Sequence, residues 1–485
     1  MKELNSLLEG VKVLNNISLN PEIIALEYDS RRVERGGCFF AVVGTASDGH
    51  DYIASAIERG AAAVVCQRLP KEEVEGVAYI LVEDSNVAMA QMASAFYDHP
   101  SYELKLVGVT GTNGKTTTAT LLYDMFMAMG YRAGLISTVI YRIAEREIAS
   151  THTTPDAIRL NAMMREMVEA GCDYCFMEVS SHAAAQHRIE GLHFTGALFT
   201  NLTHDHLDYH GTYKEYIRAK RSFFDALGKD AWAVVNIDDR NGEVMVQNCC
   251  AKVYRLSLRS MADFRTKLVE MAIDGMLLTV NGNEVWVKFT GRFNAYNLTT
   301  VYAAATLLGI EPLEVLTTLS SLNPVSGRFE TIHAADGTTA IVDYAHTPDA
   351  LENLLQTVEE VRTAEKQLIV VAGCGGDRDR TKRPEMAAIA VRYATTAIFT
   401  SDNPRTESPE AILDDVVAGV GDARNYLRIT DRREAIRTAA MLARKGDIIV
   451  IAGKGHEDYQ IIGTEKLHFD DREEVGEAFA RCHNA

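Results

Sequence analysis

Residues 104–130, LKLVGVTGTNGKTTTATLLYDMFMAMG, constrain the fold more than any other stretch. Leu106, Val107 and Val109 predict a short buried strand that runs into Gly111-Thr112-Asn113-Gly114-Lys115-Thr116-Thr117. Leu121, Leu122, Met125, Phe126 and Met129 then keep helical spacing, and Gly130 is a natural C-terminal stop. Strand, glycine turn and helix start make a phosphate cradle. The glycines let backbone approach an anion, the helix N-terminus attracts it, Lys115 adds charge, and Thr116 can hold magnesium. Val109 occupies the first glycine position of the longer G-x-x-x-x-G-K-[ST] pattern, so the signal rests on the shorter T-G-T-N-G-K-T-T form.

A chain of 485 residues predicts about three domains. The formal charge of −18 argues against a nucleic-acid partner, whose phosphates demand a basic face. MKELNSLLEG carries no cationic segment followed by an apolar core, and no apolar run is long enough to span a bilayer. The eight scattered cysteines read as reduced thiols. Cys172 and Cys175 form a C-x-x-C without a second pair at zinc spacing, which favours core or surface cysteine over a metal site. Together these predict a cytoplasmic, multidomain α/β protein that works on small molecules.

Residues 1–100 mix short apolar runs (38–43, 61–66, 78–82) with helical stretches near 53–59 and 87–97, a small α/β domain. Its polar loops at Asp29-Ser30-Arg31-Arg32 and at 44–49, which includes Thr45, Ala46 and Ser47, suit a nucleotide or sugar but are equally ordinary turns. His99-Pro100-Ser101 reads as a linker.

A central domain, 101–325, follows. Thr154 can N-cap a helix with Pro155 at its first position and Gly171 at its end, and the same loop is a second candidate anion contact. One strand at 174–179 delivers Glu178 and then Ser180; another at 197–202 delivers Asn201 and the cluster Thr203-His204-Asp205-His206. In parallel sheets ligands sit at the carboxyl ends of strands, where Glu178 and His206 fall. The histidines admit zinc. Magnesium beside a triphosphate prefers oxygen ligands, which Glu178 and Thr116 supply, with His206 as a nitrogen ligand or close neighbour. Thr212 and Glu215 form a capping box opening a helix. On it Lys220 shares an apolar face with Tyr216, Ile217, Phe223 and Phe224. Such a lysine either snorkels to solvent or is buried and paired or neutral, and a neutral amine can take up carbon dioxide as a carbamate metal ligand.

The remaining residues, 326–485, alternate strands (340–343, 367–372, 397–400, 447–452) with helices, a doubly wound sheet whose glycine- and charge-rich loops share one edge. The break falls at Asn323-Pro324-Val325-Ser326-Gly327. Arg378 and Arg405 offer planar forks for carboxylates, Asp402 and Glu457 acceptors for ammonium, and Gly453 a close backbone approach. The plain alternative is that Arg405 pairs with Glu407 or Glu410.

Several motifs in order make the chain resemble the Mur ligases, the ATP-dependent amide-forming enzymes of peptidoglycan precursor synthesis. They are TGTNGKTT, MEVSSHAAAQHR at 177–188, NLTHDHLDYHG at 201–211, YIRAK at 216–220, GRFNAYN at 291–297, DYAHTPD at 343–349, GCGGDRDRTKRP at 373–384, DNPR at 402–405 and AGKGHEDYQ at 452–460. The resemblance is nearest to the branch that adds meso-diaminopimelate to a UDP-N-acetylmuramoyl dipeptide. It implies a small N-terminal α/β domain for the uridine nucleotide, a central phosphate-loop domain, and a C-terminal Rossmann-like domain for the amino acid. By resemblance, Ser30, Thr45, Ala46 and Ser47 bind the uridine end, and His152, Thr153, Thr154, Ser180, Gln186 and Arg188 hold the muramoyl dipeptide. His152 replaces a frequent asparagine and Ala183 a frequent glycine. Residues 111–117 with Asn297, Arg328 and Asp343 hold ATP; Thr116, Glu178, His206 and carbamylated Lys220 hold Mg2+. Lys115, His206 and Lys220 are the catalytic set. Arg378, Asp402, Asn403, Pro404, Arg405, Gly453 and Glu457 receive diaminopimelate, and DNPR marks that substrate. The enzyme is expected to be a monomer whose domains close to exclude water. A folylpolyglutamate synthase would share the phosphate loop but lack DNPR, and a nucleotide-gated switch would leave Arg378, Arg405 and Glu457 unexplained.

Overall fold

The computed structural model describes residues 1–44, 47–203 and 207–482, with the side chains of 207 and 208 excepted. Thr45, Ala46, His204, Asp205 and His206 lie outside the described residues. The chain divides into two compact units: Met1–Gly111, Thr118–Thr200 and Lys214–Arg255 form the first, and Thr112–Thr117, Asn201–Tyr213 and Leu256–Ala485 the second.

The first unit opens with four parallel strands, Ala25–Glu27, Gly37–Phe40, Ala63–Cys66 and Ala78–Leu81, paired in sequence order. Helix Ser85–Phe96 begins on Asp84, whose carboxylate accepts the N–H groups of Asn86 and Val87. His99-Pro100-Ser101, read from the sequence as a linker, is packed rather than extended. Pro100–Tyr102 is a short 3-10 turn, Pro100 and Ser101 are buried, and Ser101 Oγ accepts the His193 N–H at 3.0 Å. A proline ends a helix, but here the chain beyond it packs immediately.

The larger sheet of this unit has Lys105–Thr110 at its middle, paired in parallel with Tyr174–Glu178 and Gly196–Phe199. Ala133–Ile136 lies beyond Tyr174–Glu178, and Trp232–Asn236 beyond Gly196–Phe199. Gly108 is required there, because a β-carbon would stand 2.5 Å from the Phe223 ring and 2.9 Å from Phe194. Helix Lys115–Ala128 leaves the phosphate loop, and Gly130 ends it with φ 87°. The helix expected to start at Thr154 starts instead at Ala157 on Asp156, which accepts the Arg159 N–H. Thr154 is drawn away because its hydroxyl donates to the Glu178 carbonyl at 2.7 Å. Gly171 does follow that helix, with φ 76°.

In the second unit, Phe264–Ala272, Gly275–Val280 and Asn283–Val287 form an antiparallel meander packed by helices Arg292–Leu307 and Pro312–Ser321. The six-stranded sheet runs Glu330–His333, Thr339–Asp343, Ile448–Ala452, Leu368–Cys374, Thr396–Ser401, Tyr426–Arg428, with the first strand antiparallel and the others parallel. Helices cover both faces over two apolar layers, one centred on Leu354, Leu355 and Val370, the other on Val371, Ile436 and Phe479. Because the strands are parallel, Asp343, Gly375, Asp402 and Gly453 emerge together at one edge.

Candidate active site

The phosphate loop is built by backbone that only glycine adopts easily: Gly111 has φ 152° and Gly114 φ 87°. A β-carbon on Gly114 would meet Asn297 Oδ1 at 2.4 Å, so buried Asn297 seats against the loop. The turn is laced to the Asn201–Thr203 segment. Asn201 Oδ1 accepts the Asn113 N–H at 2.9 Å, Asn201 Nδ2 donates to the Asn113 carbonyl at 3.1 Å, and Thr203 N–H donates to Thr112 Oγ1 at 3.0 Å. Lys115 Nζ folds back on the Thr112 carbonyl at 2.8 Å. Buried Thr116 receives a hydrogen bond from Arg328 Nη2 at 3.2 Å, and Thr117 is buried beside it.

Arg328 stacks on the Tyr344 ring, 4.6 Å from its centroid. Asp343 accepts the Phe329 N–H at 2.7 Å, and burial raises its carboxyl pKa against the opposing pull of Arg328. Asp349, which the sequence reading quoted only within a motif, accepts from Asn113 Nδ2 at 3.0 Å and is also raised by burial. These groups make a cationic, N–H-rich cradle of the kind that phosphates occupy.

In the first unit, Glu178 is fully buried at the carboxyl end of its strand, in register with Val109. Its carboxylate accepts the Thr138 N–H at 2.7 Å and the Thr138 hydroxyl at 3.2 Å. Thr138, not singled out from the sequence, also donates to Thr153 Oγ1 at 3.0 Å. Lys220 is 2% exposed, which settles burial over snorkelling, and its Nζ donates to the Gly111 carbonyl at 2.7 Å. Helix Tyr213–Asp225 buries Tyr216, Ala219, Phe223 and Phe224 on the same face. Among the described residues, no three His, Cys, Asp or Glu side chains gather as a metal cluster. Cys172 and Cys175 are buried free thiols, and burial raises both.

Four of the residues expected at the dipeptide, Thr154, Ser180, Gln186 and Arg188, lie together. Thr154 Oγ1 accepts the Ser180 N–H at 3.1 Å, and Ser180 Oγ caps the next helix at the Ala183 N–H. Arg188 donates to the Thr154 carbonyl at 2.6 Å and, through Nε and Nη2, to Gln186 Oε1. Tyr28 is electrostatically coupled to Asp156 and Arg188, which links the Asp29–Arg32 turn to this cluster. Buried Ser30 sits in that turn, whose Asp29 carboxyl is lowered to about 2 by its hydrogen bonds to Arg31. His152 is held by its backbone to the Tyr141 hydroxyl, leaving an exposed ring. Ser47 is exposed.

At the edge of the last sheet, Asp402, Asn403 and Pro404 are buried and Arg405 half-buried. Arg405 Nη1 donates to the Gly376 carbonyl at 2.7 Å. Glu407 is taken instead by Arg383, Arg380 and the Asp377 N–H, and Glu410 by Arg428 and Thr430, so the plain pairing of Arg405 is not made. Exposed Arg378 and half-buried Arg405 flank Gly375, with Arg405 Nη1 3.0 Å and Arg378 Cγ 3.9 Å from its β position. Glu457 accepts from Asn403 Nδ2 at 2.8 Å, and burial together with nearby Asp402 raises its carboxyl pKa. Gly453 has φ 120°, and a β-carbon on it would stand 3.4 Å from Asp402 Oδ2. Sequence reasoning missed two features here. Lys454 is fully buried between Asp402 and Glu457, and the hairpin Tyr459–Ile462/Glu465–His468 bonds the Arg405 N–H through the Ile461 carbonyl. A lysine between two glycines just past a buried strand was the available signal for the first.

Three family models match: "Mur ligase family, catalytic domain" over residues 22–97, "Mur ligase middle domain" over 109–305 and "Mur ligase, glutamate ligase domain" over 327–455. The chain is 53% identical over 481 residues to a UDP-N-acetylmuramoyl-L-alanyl-D-glutamate--2,6-diaminopimelate ligase of Phocaeicola vulgatus, covering 99% of each. It is 52% identical over 482 residues to the ligase of the same name from Bacteroides fragilis, again covering 99% of each. A solved structure of a UDP-N-acetylmuramoyl-L-alanyl-D-glutamate--2,6-diaminopimelate ligase superposes with a TM-score of 0.69 at 33% identity, covering 96% of both chains. Phosphate cradle, three-domain α/β architecture and full-length similarity agree: the chain belongs to the Mur ligase family of ATP-dependent, amide-forming ligases.

Proposed function

We propose that this protein joins meso-diaminopimelate to the γ-carboxylate of D-glutamate in UDP-N-acetylmuramoyl-L-alanyl-D-glutamate, converting ATP to ADP and phosphate. The observation that carries the amino-acid assignment is the edge at Gly375. Two arginines flank it, Arg405 is not consumed by Glu407 or Glu410, and Asp402 and Glu457 stand near with their carboxylates. Diaminopimelate presents carboxylates at both ends and amines beside them, which suits guanidinium forks above carboxylate acceptors. Lysine has no second carboxylate to clamp.

Residues 1–100, 101–325 and 326–485 serve as the uridine-nucleotide, ATP and amino-acid domains. Ser30 and the 45–47 loop hold the uridine end; His152, Thr153, Thr154, Ser180, Gln186 and Arg188 hold the dipeptide. Gly111–Thr117 N–H groups, Lys115 and Arg328 neutralise the phosphates, while Asn297 and Asp343 position the nucleotide. The dipeptide carboxylate attacks the γ-phosphorus and ADP leaves. The resulting acyl phosphate is attacked by the diaminopimelate amine, and the tetrahedral intermediate expels phosphate. Positioning and charge stabilisation dominate such phosphoryl transfer.

Thr116 and Glu178 carry oxygen donors of the kind a hard cation takes, and with His206 and Lys220 as its carbamate they would hold Mg2+, which would offset the negative charge of the reacting groups. No helix among the described residues is long and apolar enough to cross a membrane. The enzyme acts in the cytoplasm, as a monomer, on small molecules.

Phosphate release with ATP, the UDP-linked dipeptide and a panel of amino acids tests the assignment. Release is expected with meso-diaminopimelate. Equal release with L-lysine would overturn the acceptor, and release with no acceptor would overturn the ligase reading.

A further inference from the structure

Lys454 follows strand Ile448–Ala452 by two residues and is fully buried. Its Nζ lies 3.3 Å from Asp402 Oδ1, 3.3 Å from Asn403 Oδ1 and 3.3 Å from Glu457 Oε2. The Asp402 and Glu457 side chains keep 10% and 13% exposure while that of Lys454 keeps none, so the cation stands behind the two carboxylates. Two buried carboxylates this close repel. A shared ammonium offsets that repulsion while leaving each carboxylate oxygens with which to meet an incoming cation. We propose that Lys454 is a positioning residue that holds the Asp402 and Glu457 carboxylates side by side and aimed at the ammonium of the amino-acid acceptor.

Burial and Asp402 raise the Glu457 carboxyl, while Lys454 and Asn403 lower it. Tyr344 and Tyr459 also face Glu457, and buried Arg432 feels both Asp402 and Glu457 while bonded to Asp471 by two hydrogen bonds. Lys454 is in direct contact with both carboxylates, and its removal leaves Glu457 with the uncharged partners Asn403 and Tyr459. The loss then falls on acceptor binding and on its pH dependence.

The proposal rests on the acceptor assignment above, and the two can fail separately. If the unmodified enzyme shows no diaminopimelate-dependent turnover, the assignment fails first. Given that turnover, Lys454→Met is expected to raise KM for diaminopimelate about tenfold or more. It should move the acid limb of kcat/KM for diaminopimelate to higher pH by about one unit, with KM for ATP and for the UDP-linked dipeptide changed less than about twofold. Asp402→Asn probes the same electrostatics while keeping Lys454 and serves if the first variant does not fold. It should move the acid limb to lower pH, because Glu457 then ionises without a like charge beside it. Acid limbs that stay fixed in the folded variants, or a rise in all three KM values together, would overturn the proposal.

Discussion

Lys220 shows how one side chain is fixed by the face it occupies. Its neighbours at three and four residues are apolar, so helix Tyr213–Asp225 carries it inward, and there it meets the Gly111 carbonyl at 2.7 Å. Replacement by alanine removes the amine together with any carbamate formed on it. Lys220→Ala is expected to lower kcat by about a hundredfold or more, with partial recovery when formate or acetate is added. Unimpaired turnover in a steady-state assay would remove Lys220 from the reaction. Thr154 carries the opposite lesson. Threonine before proline is a sound N-cap, yet its hydroxyl bridges the Glu178 carbonyl and the Ser180 N–H, and Asp156 caps the helix instead. Local preference was legible; a partner 24 residues away was not.

At the scale of elements, buried parallel strands were the easiest to read, because 37–40, 63–66, 106–109 and 368–374 are continuous apolar runs. Strand Tyr426–Arg428 and the hairpin Tyr459–Ile462/Glu465–His468 escaped, since they are short, half-exposed and carry no apolar alternation. Their place is set by tertiary contacts, such as the Ile461 carbonyl accepting the Arg405 N–H. The phosphate loop and the arginines could be found by residue type and spacing. Thr138 escaped because its partner is a buried carboxylate 40 residues away, and the glycines around Lys454 mark its loop without revealing its two carboxylate partners. The Gly376 loop makes a sharper test of how elements position the arginines. Gly376 N–H donates to the Asn403 carbonyl at 2.9 Å, and a β-carbon would lie 1.9 Å from the Pro404 carbonyl oxygen. Gly376→Ala should therefore push the 375–378 loop off residues 402–405, costing about 1–3 kcal/mol of stability and raising KM for diaminopimelate while KM for ATP holds. Denaturant unfolding and substrate titrations read both effects. A variant of unchanged stability and KM would show that this close contact does not position Arg378 and Arg405.

For the whole molecule, the family assignment rests on similarity that runs the length of the chain and on family-model matches to each third of it. Within each unit the groups of interest stand at the carboxyl ends of parallel strands: Glu178 in one, Asp343, Gly375, Asp402 and Gly453 in the other. That is why a single loop motif could indicate nucleotide binding but not the reaction. The central claim is that ATP activates the dipeptide carboxylate for attack by diaminopimelate. Oxygen-18 placed in the D-glutamate γ-carboxylate tests it directly. With ATP and meso-diaminopimelate, one labelled oxygen should appear in each phosphate released, read by mass spectrometry, together with the dipeptide–diaminopimelate amide. Unlabelled phosphate released alongside that product would contradict the account.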